Sequence, residues 1–288
     1  MIPASFDYLA PTSLTDALAA LAELAEHGDD AKVLAGGQSL LPILRMRLNA
    51  PGVVIDLGKI PELQGISADG DTIVIGAMTP YAAVLASEAV STHAALLSKA
   101  VATVADPQIR HRGTVGGALV HADPAGDVGA PVLALDAELV IAEQAGTTRT
   151  VAAADFFEDL FTTAVGEDEL LTQIRIPKHT GWGAHYEKFV RVSHQWSIVA
   201  VAATVRAEGG SIAEARVGLT NMGSTPLRAN AVEQALVGQP ATEEAVRAAC
   251  AQAADGTNPP SDLNGGADYR KHLATVLTRR AVLAAAGA

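Results

Sequence analysis

Two double-glycine segments in the first half of the chain constrain it most: LAGGQS at residues 34–39 and GTVGGA at residues 113–118. Glycine lets the backbone approach a ligand closely and adopt positive φ, and successive free N–H groups form an anion-binding concavity. Each pair has a hydroxyl residue two positions away, Ser39 after the first and Thr114 before the second. Two such segments could hold one diphosphate from opposite sides. A single glycine pair is better interpreted as an ordinary turn.

Known nucleotide and nucleophile motifs are missing from the sequence. Neither glycine segment has the P-loop pattern G-x-x-x-x-G-K-[ST] or the Rossmann pattern G-x-G-x-x-G. No G-x-S-x-G and no cysteine–histidine pairing indicates a nucleophile, so we predict no catalytic residue in this chain. His121, Asp123 and Asp127 could in principle hold a metal ion, but their number and surroundings do not support one, and we predict none.

The sequence leaves the roles of two features open. Residues 110–112 (Arg-His-Arg) could add positive potential beside a diphosphate, or form a solvated, ion-paired turn. Trp196 lies between two predicted strands in a chain with 4% aromatic residues. A tryptophan in that setting is by default a core residue.

Composition excludes several kinds of partner. The 288 residues carry a net charge of −12, which argues against nucleic acid or an anionic membrane. The first residues have neither the basic nor the apolar region of a signal peptide, and no apolar run is long enough for a transmembrane segment. We therefore expect a cytoplasmic protein. The one cysteine, Cys250, can form no intrachain disulfide and cannot ligate an iron–sulfur cluster unaided.

Hydrophobic periodicity predicts two domains. The first, residues 1–178, is divided into lobes of about 1–57 and 58–178. Its predicted helices are 14–27, 39–48, 80–89, 92–104 and 131–135, and its predicted strands are 31–35, 53–57, 73–75, 139–143, 147–151 and 170–177. Residues 105–107 are predicted to be extended, leading into the second glycine segment as a loop.

A polar, glycine-containing link after Pro177 marks the domain boundary. The second domain, residues 179–288, begins with three predicted strands at 186–192, 197–207 and 211–219, followed by helices at 227–236, 242–254 and 269–285. Strands followed by helices predict an α+β unit with a three-stranded antiparallel sheet.

The whole chain resembles one family. The matching segments are residues 6–8, 34–42, 54–57, 75–79, 105–110, 113–117, 122–124 with 127, 186–188, 219–221, 225–227, 269–270 and 276–281. They resemble the medium, FAD-binding subunits of the molybdenum hydroxylases, the family of carbon monoxide dehydrogenase and xanthine dehydrogenase. The resemblance implies a two-lobed FAD-binding domain of the vanillyl-alcohol oxidase and p-cresol methylhydroxylase type, plus a small C-terminal domain.

The resemblance also implies a set of cofactor-binding residues. Both glycine segments would cradle the FAD diphosphate, Asp127 would contact the flavin nucleotide, and Lys188 would lie near the flavin ring. Val165 would supply an apolar backbone contact, and Trp196 would be a movable aromatic cover over the isoalloxazine. The two cradle segments comprise Ala35, Gly36, Gly37, Gln38 and Ser39, and Thr114, Val115, Gly116, Gly117 and Ala118.

The chain departs from the family pattern at three places. Ala118 replaces the usual asparagine, which removes one polar contact to the cofactor. Gln38 stands where carbon monoxide dehydrogenases have histidine, and His-Ala-Asp at residues 121–123 replaces their Asn-Gly-Asp, which weakens carbon monoxide as the substrate of the complex. The single cysteine excludes the extra iron–sulfur cluster that 4-hydroxybenzoyl-CoA reductases carry in this subunit.

The function that the resemblance implies is electron transfer within an oxidoreductase complex. A large subunit would hold the molybdopterin cofactor and a small subunit two [2Fe–2S] clusters, assembled as a dimer of heterotrimers. Electrons would pass through FAD in this chain to NAD⁺, a quinone or oxygen. The alternatives are a self-sufficient flavin oxidase of the same fold and a scaffold subunit that has lost flavin.

Overall fold

A three-stranded parallel sheet forms the first lobe of the protein, whose computed structural model describes residues 1–287. The central strand of this sheet, residues 53–56, is the last of the three in sequence, and it pairs in parallel with both others. Parallel strands require crossover connections, which the two helices of this lobe provide. Ser13 caps α1 by accepting a hydrogen bond from the Asp16 N–H, and Gly28 ends it, as the sequence predicts. The elements are β1 (Asp7–Leu9), α1 (Leu14–His27), β2 (Ala31–Leu34), α2 (Leu40–Met46) and β3 (Val53–Asp56).

The second lobe is built on a five-stranded antiparallel sheet in the order β4-β5-β10-β6-β7. The helices that follow β5 pack their apolar side chains into one core with this sheet. The predicted hairpin about Gly146 is confirmed as β6 and β7. The elements are β4 (Ile66–Asp69), β5 (Thr72–Gly76), α3 (Tyr81–Ala86), α4 (Glu88–His93), α5 (Ala95–Ala102), α6 (Pro107–Arg112), α7 (Val115–His121), α8 (Gly129–Ala134), β6 (Glu138–Ala142), β7 (Thr148–Ala152), α9 (Ala153–Phe156), β8 (Phe157–Asp159), β9 (Thr162–Thr163) and β10 (Leu170–Pro177).

The C-terminal part is a four-stranded antiparallel sheet in the order β11-β12-β13-β14 with three helices. Ala200 and Ala202 face the core of the second lobe, whereas Val199 and Val201 face the helices of this part. Both faces are thus covered, which explains the continuous apolar run in β12. The elements are β11 (Gly183–Phe189), β12 (Val199–Glu208), β13 (Ser211–Thr220), β14 (Leu227–Arg228), α10 (Asn230–Leu236), α11 (Glu243–Cys250) and α12 (Ala267–Ala286).

The prediction of a three-stranded C-terminal sheet was wrong by one strand. Residues 227–228, expected at the start of a helix, pair with Gly218 and Leu219 of β13 instead, and the helix begins only at Asn230. Arg228 is held there by Glu233 and Asp136 at 2.7 Å and 2.6 Å. A strand of two residues is too short to show a period of two, so side-chain pairing decided its conformation.

The second glycine segment is helical, not a loop. Asp106 is extended as predicted, but it caps α6, and Pro107 occupies the first turn. After Gly113 the chain enters α7, which Thr114 caps. The predicted helix at 92–104 is likewise interrupted, because Ala94 leaves the helical region at φ −138°. Within residues 1–287, no helix is both long and apolar enough to cross a bilayer.

Candidate functional site

The first glycine segment connects the carboxyl end of β2 to α2. Gly37 has φ 74°, the left-handed region that favours glycine. A Cβ on Gly36 would overlap the carbonyl group of Arg112 and lie 2.8 Å from Gly113 Cα. Glycine is therefore required at both positions, at Gly37 for the turn and at Gly36 for the close approach of α6.

Five successive backbone N–H groups in this segment are free. The N–H groups of residues 36–40 donate to no acceptor within the described residues, whereas those of Leu41 and Ile43 begin the helix by bonding to Gly37 and Ser39. The Gln38 side chain turns back and donates to the Gly36 carbonyl oxygen at 3.0 Å. A run of free N–H groups about a left-handed residue is the backbone geometry that binds anions such as a diphosphate.

The second glycine segment has no such run. The Val115 and Gly116 N–H groups donate to the carbonyl oxygens of Thr79 and Ala77 at 3.1 Å and 2.9 Å. The Gly117 N–H donates to the Thr114 hydroxyl oxygen, and the Ala118 N–H donates to the Thr114 carbonyl oxygen, each at 3.2 Å. The two segments therefore differ: the first offers donors, and the second is a packed helical turn.

The two glycine segments nevertheless lie against each other. A Cβ on Gly117 would be 2.9 Å from Ala35 Cβ and 2.7 Å from Thr114 Oγ1. Val115 and Gly116 are buried, whereas Gly117 and Ala118 are only partly covered. This contact brings the two segments together, and that both border one cofactor site stays a prediction. The free donors, however, come from residues 36–40.

A buried charged cluster joins the second lobe to the C-terminal sheet. Asp127, which is 6% exposed, accepts hydrogen bonds from Tyr186 Oη at 2.8 Å, Lys188 Nζ at 2.7 Å and Ser197 Oγ at 2.9 Å. Lys188 also donates to the Thr103 carbonyl oxygen at 3.2 Å. Two predicted site residues, Asp127 and Lys188, are thus brought together as an ion pair.

Burial dominates the titration of this cluster. Burial raises the pKa of the Asp127 carboxyl above its ordinary value, although Lys188, Tyr186 and Ser197 act in the opposite direction. Burial together with the neighbouring Asp127 raises the pKa of Tyr186 well above its ordinary value. Tyr186 therefore stays a hydrogen-bond donor to Asp127 at neutral pH.

Sequence reasoning missed the roles of Tyr186 and Ser197 as donors to Asp127. The spacing did hold a signal for one of them. Tyr186 and Lys188 are two residues apart on β11, so their side chains share one face of the sheet and reach the same partner. Ser197 had no such signal, because it lies in the irregular connection between β11 and β12.

The remaining predicted residues occupy different settings. Trp196 is 56% exposed in the connection after β11, so the interpretation of this residue as a core tryptophan is wrong for this chain. Val165 is half-buried and packs against the core of the second lobe.

None of residues 110–112 forms an ion pair in the part of the chain that the structure describes, and Arg110 instead donates to the Val104 and Ala105 carbonyl oxygens.

The three residues considered for a metal ion are not gathered. The His121 ring packs at 5.2 Å from that of Phe161, and burial lowers the pKa of His121. Asp123 accepts from the Ala125 N–H at 2.9 Å, and Asp127 faces its three donors. Over residues 1–287 there is no group of three histidine, cysteine or carboxylate side chains that could hold a metal ion.

Two family descriptions cover nearly the whole chain. Residues 4–179 match the FAD binding domain in molybdopterin dehydrogenase, and residues 184–285 match the CO dehydrogenase flavoprotein C-terminal domain. The chain is 40% identical to the carbon monoxide dehydrogenase medium chain of Hydrogenophaga pseudoflava, covering 99% of this chain and 98% of that one. It is 34% identical to the glyceraldehyde dehydrogenase medium chain of Sulfolobus acidocaldarius, covering 98% of each.

A solved structure gives the same result. The carbon monoxide dehydrogenase of Hydrogenophaga pseudoflava that lacks the Mo-pyranopterin moiety superposes with a TM-score of 0.95 at 42% identity, over 99% of this chain and 98% of that chain. Identity above 30% over nearly the full length, together with the two family matches, shows the family. The chain belongs to the FAD-binding medium subunits of the molybdopterin dehydrogenases.

Proposed function

We propose that this chain holds FAD on the five free N–H groups of residues 36–40 and relays electrons from [2Fe–2S] clusters of a partner subunit to an external acceptor. That run of donors is the observation that carries the proposal. It fits a diphosphate, because the groups are consecutive, lie about the left-handed Gly37, and are backed by the second glycine segment. The flavin, when bound, supplies the exchange between single electrons and electron pairs.

The site residues divide the work of binding and orientation. The N–H groups of residues 36–40 supply donors to the diphosphate, Ala35 contacts the second glycine segment, and residues 114–118 form the wall that keeps the first segment in place. Lys188 supplies positive charge, and Asp127 fixes its position. Val165 and Trp196 border the flavin ring. This assignment is supported by the contact between the two glycine segments and by the Asp127–Lys188 pair at 2.7 Å.

Several finer features are part of the same proposal. We assign residues 1–178 to a two-lobed FAD-binding domain of the vanillyl-alcohol oxidase and p-cresol methylhydroxylase type, and 179–288 to the C-terminal domain. The separate sheets on either side of residues 57–65 and the family match that ends at residue 179 support this division. We further propose a cytoplasmic dimer of heterotrimers that delivers electrons to NAD⁺, a quinone or oxygen.

The organic substrate does not contact this chain in our proposal. Relatives are named for carbon monoxide and for glyceraldehyde, yet both align with this chain from end to end. The same medium-chain architecture therefore accompanies different substrates. We propose that a molybdopterin-binding large subunit selects the substrate of this complex too.

Denaturation of the purified protein is expected to release FAD. The site offers backbone donors, and the proposal includes no covalent link to a side chain, so the flavin should enter the supernatant when the protein is precipitated. Chromatography of that supernatant and its absorbance against protein concentration give the identity and stoichiometry of the cofactor. Recovery of FMN, or of no flavin from folded protein, contradicts the proposal.

Trp196→Ala is expected to leave the melting temperature nearly unchanged, because the side chain is more than half exposed. A packed core tryptophan would instead cost about 3–5 kcal/mol. If Trp196 covers the flavin, the same variant should alter flavin absorbance and the rate of flavin reoxidation. Thermal unfolding and stopped-flow reoxidation are measured on one preparation. Unaltered reoxidation at full FAD content removes Trp196 from the site.

A further inference from the structure

The connection between β11 and β12, residues 190–198, has two unlike halves; we refer to it as the Trp196 loop. Residues 191–196, including Trp196, are exposed, whereas Ser197 and Ile198 are buried. The exposed half makes few hydrogen bonds of its own: the Gln195 N–H donates to the Val192 carbonyl oxygen at 3.3 Å. The position of this half therefore depends on its ends and on one contact made by His194.

Two buried side chains hold the base of the loop. Asn221 Nδ2 donates to the carbonyl oxygens of Ser197 at 2.8 Å and of Ile198 at 3.2 Å. Arg270 Nη1 donates to the same Ile198 oxygen, and its Nη2 donates to Asp262 Oδ1 at 2.8 Å. Asn221 is itself anchored, because its N–H donates to the Pro124 carbonyl oxygen at 2.8 Å.

Arg270 is an unfavourable residue for packing alone. Its side chain is 0% exposed on α12, and its Nε has no hydrogen-bond partner among the described residues. Its neighbours on the same buried face, Leu273, Ala274 and Leu277, are apolar. A buried guanidinium loses its hydration and is compensated only by good hydrogen bonds. The bonds to the Ile198 carbonyl oxygen and to Asp262 are therefore what this position gains from arginine.

Both halves of the loop also make contacts to the first domain. Ser197 Oγ donates to Asp127, and His194 Nδ1 lies 2.5 Å from the Ala105 carbonyl oxygen, which requires the nitrogen to donate. Both His194 and Ala105 have positive φ, 70° and 37°. Such strained residues persist only when the surrounding contacts hold them. A shift of the Ser197 and Ile198 carbonyl groups would thus be passed on to Trp196.

We propose that Arg270 and Asn221 are positioning residues of the electron-transfer site, which hold the Ser197 and Ile198 carbonyl oxygens and thereby place Trp196 against the flavin. The inference rests on the proposed function in one respect, the location of Trp196 at the flavin. Neither residue has to touch the cofactor. Their effect on the flavin passes through the loop.

The test combines loop and anchor variants in the full-length chain carrying its FAD. Trp196→Leu removes the aromatic cover. Arg270→Met keeps a long side chain but removes the donors to Ile198. Asn221→Asp keeps a residue type that tolerates positive φ but replaces the amide donor with an acceptor. The readouts are flavin fluorescence at equal FAD content, the rate of flavin reoxidation, and amide hydrogen exchange of residues 190–198.

We expect Trp196→Leu to increase flavin emission, because an aromatic ring in contact quenches it. Arg270→Met should increase emission in the same direction and accelerate exchange in the loop by about tenfold or more, as for loss of one charge-assisted hydrogen bond. In the Trp196→Leu background, Arg270→Met should have no further effect on emission. Asn221→Asp should produce the same changes in emission and in loop exchange. If Arg270→Met does not fold, Asn221→Asp alone tests the positioning role.

The outcomes distinguish failure of the proposed flavin site from failure of the positioning role alone. If Trp196→Leu changes neither emission nor reoxidation, Trp196 is not at the flavin, and the proposed site fails. If Trp196→Leu acts but both anchor variants leave emission and loop exchange unchanged, the positioning role fails alone. An anchor effect that persists without Trp196 also overturns it. Leu277→Ala, a buried α12 variant that lacks a side-chain hydrogen bond to the loop, controls for destabilisation of the helix.

Discussion

Gly37→Val is expected to eliminate stoichiometric FAD binding. Gly37 has φ 74°, a conformation that a β-branched residue adopts only with strain. Strain of this kind costs about 1–3 kcal/mol. If the segment relaxes when the cofactor is absent, this energy corresponds to a roughly 5- to 150-fold loss of affinity for FAD. Relaxation would also change the directions of the free N–H groups of residues 36–40. FAD content per chain and the dissociation constant of added FAD measure the effect.

A matched control separates cofactor loss from general strain. Gly209 has φ 57° at the turn between β12 and β13, where no atom would meet an added Cβ within 4 Å. Gly209→Val therefore carries similar backbone strain far from the glycine segments in sequence, and it should keep its FAD. If Gly37→Val retains full FAD with unchanged affinity, residues 36–40 are not the cradle.

Gly117→Val tests the second glycine segment separately. Its Cβ would lie 2.9 Å from Ala35 Cβ and 2.7 Å from Thr114 Oγ1, so the two segments would have to move apart. Because the N–H groups of Val115, Gly116, Gly117 and Ala118 are already engaged within the chain, we expect any loss of FAD to come from displacement of the first segment. We expect weaker binding than in the natural chain, with the C-terminal domain still folded.

Asp127→Ala is expected to lower the free energy of unfolding by about 3–5 kcal/mol, because it leaves a buried lysine without its counter-charge. The side chains of Lys188 and Asp127 are 8% and 5% exposed, so water does not readily replace the lost partner. Tyr186 and Ser197 would lose their acceptor as well. Denaturant unfolding of the full chain gives the value.

A double-mutant cycle shows whether the effect belongs to the pair. Combining Asp127→Asn with Lys188→Met removes both charges while keeping an acceptor for Tyr186 and Ser197. The combined loss should be smaller than the sum of the two single losses. Glu243→Ala, which breaks the exposed pair with Arg279 at 3.4 Å, should cost only about 0.2–1 kcal/mol. Strictly additive losses at residues 127 and 188 would show that the pair contributes no coupling.

The sequence by itself determined the family, the cofactor and most elements of regular structure. The helix after Ser13, the hairpin about Gly146 and the long C-terminal helix were predicted, because local caps, glycine turns and apolar periodicity are properties of short windows. The four-residue strand β4 and the two-residue strand β14 escaped prediction. Such short elements are stabilised by their partners in the sheet.

Only the tertiary structure decided how the candidate residues are used. Both glycine segments looked equivalent in sequence, yet in the second one the N–H groups of Val115 and Gly116 donate to Thr79 and Ala77, which lie 36 and 39 residues earlier in the chain. Asp127 and Lys188 are separated by 61 residues and still form a pair, and Trp196 is exposed rather than buried. A local pattern records which groups can bond. Which of them remain free for a ligand depends on packing between distant segments, and no short stretch of sequence contains that information.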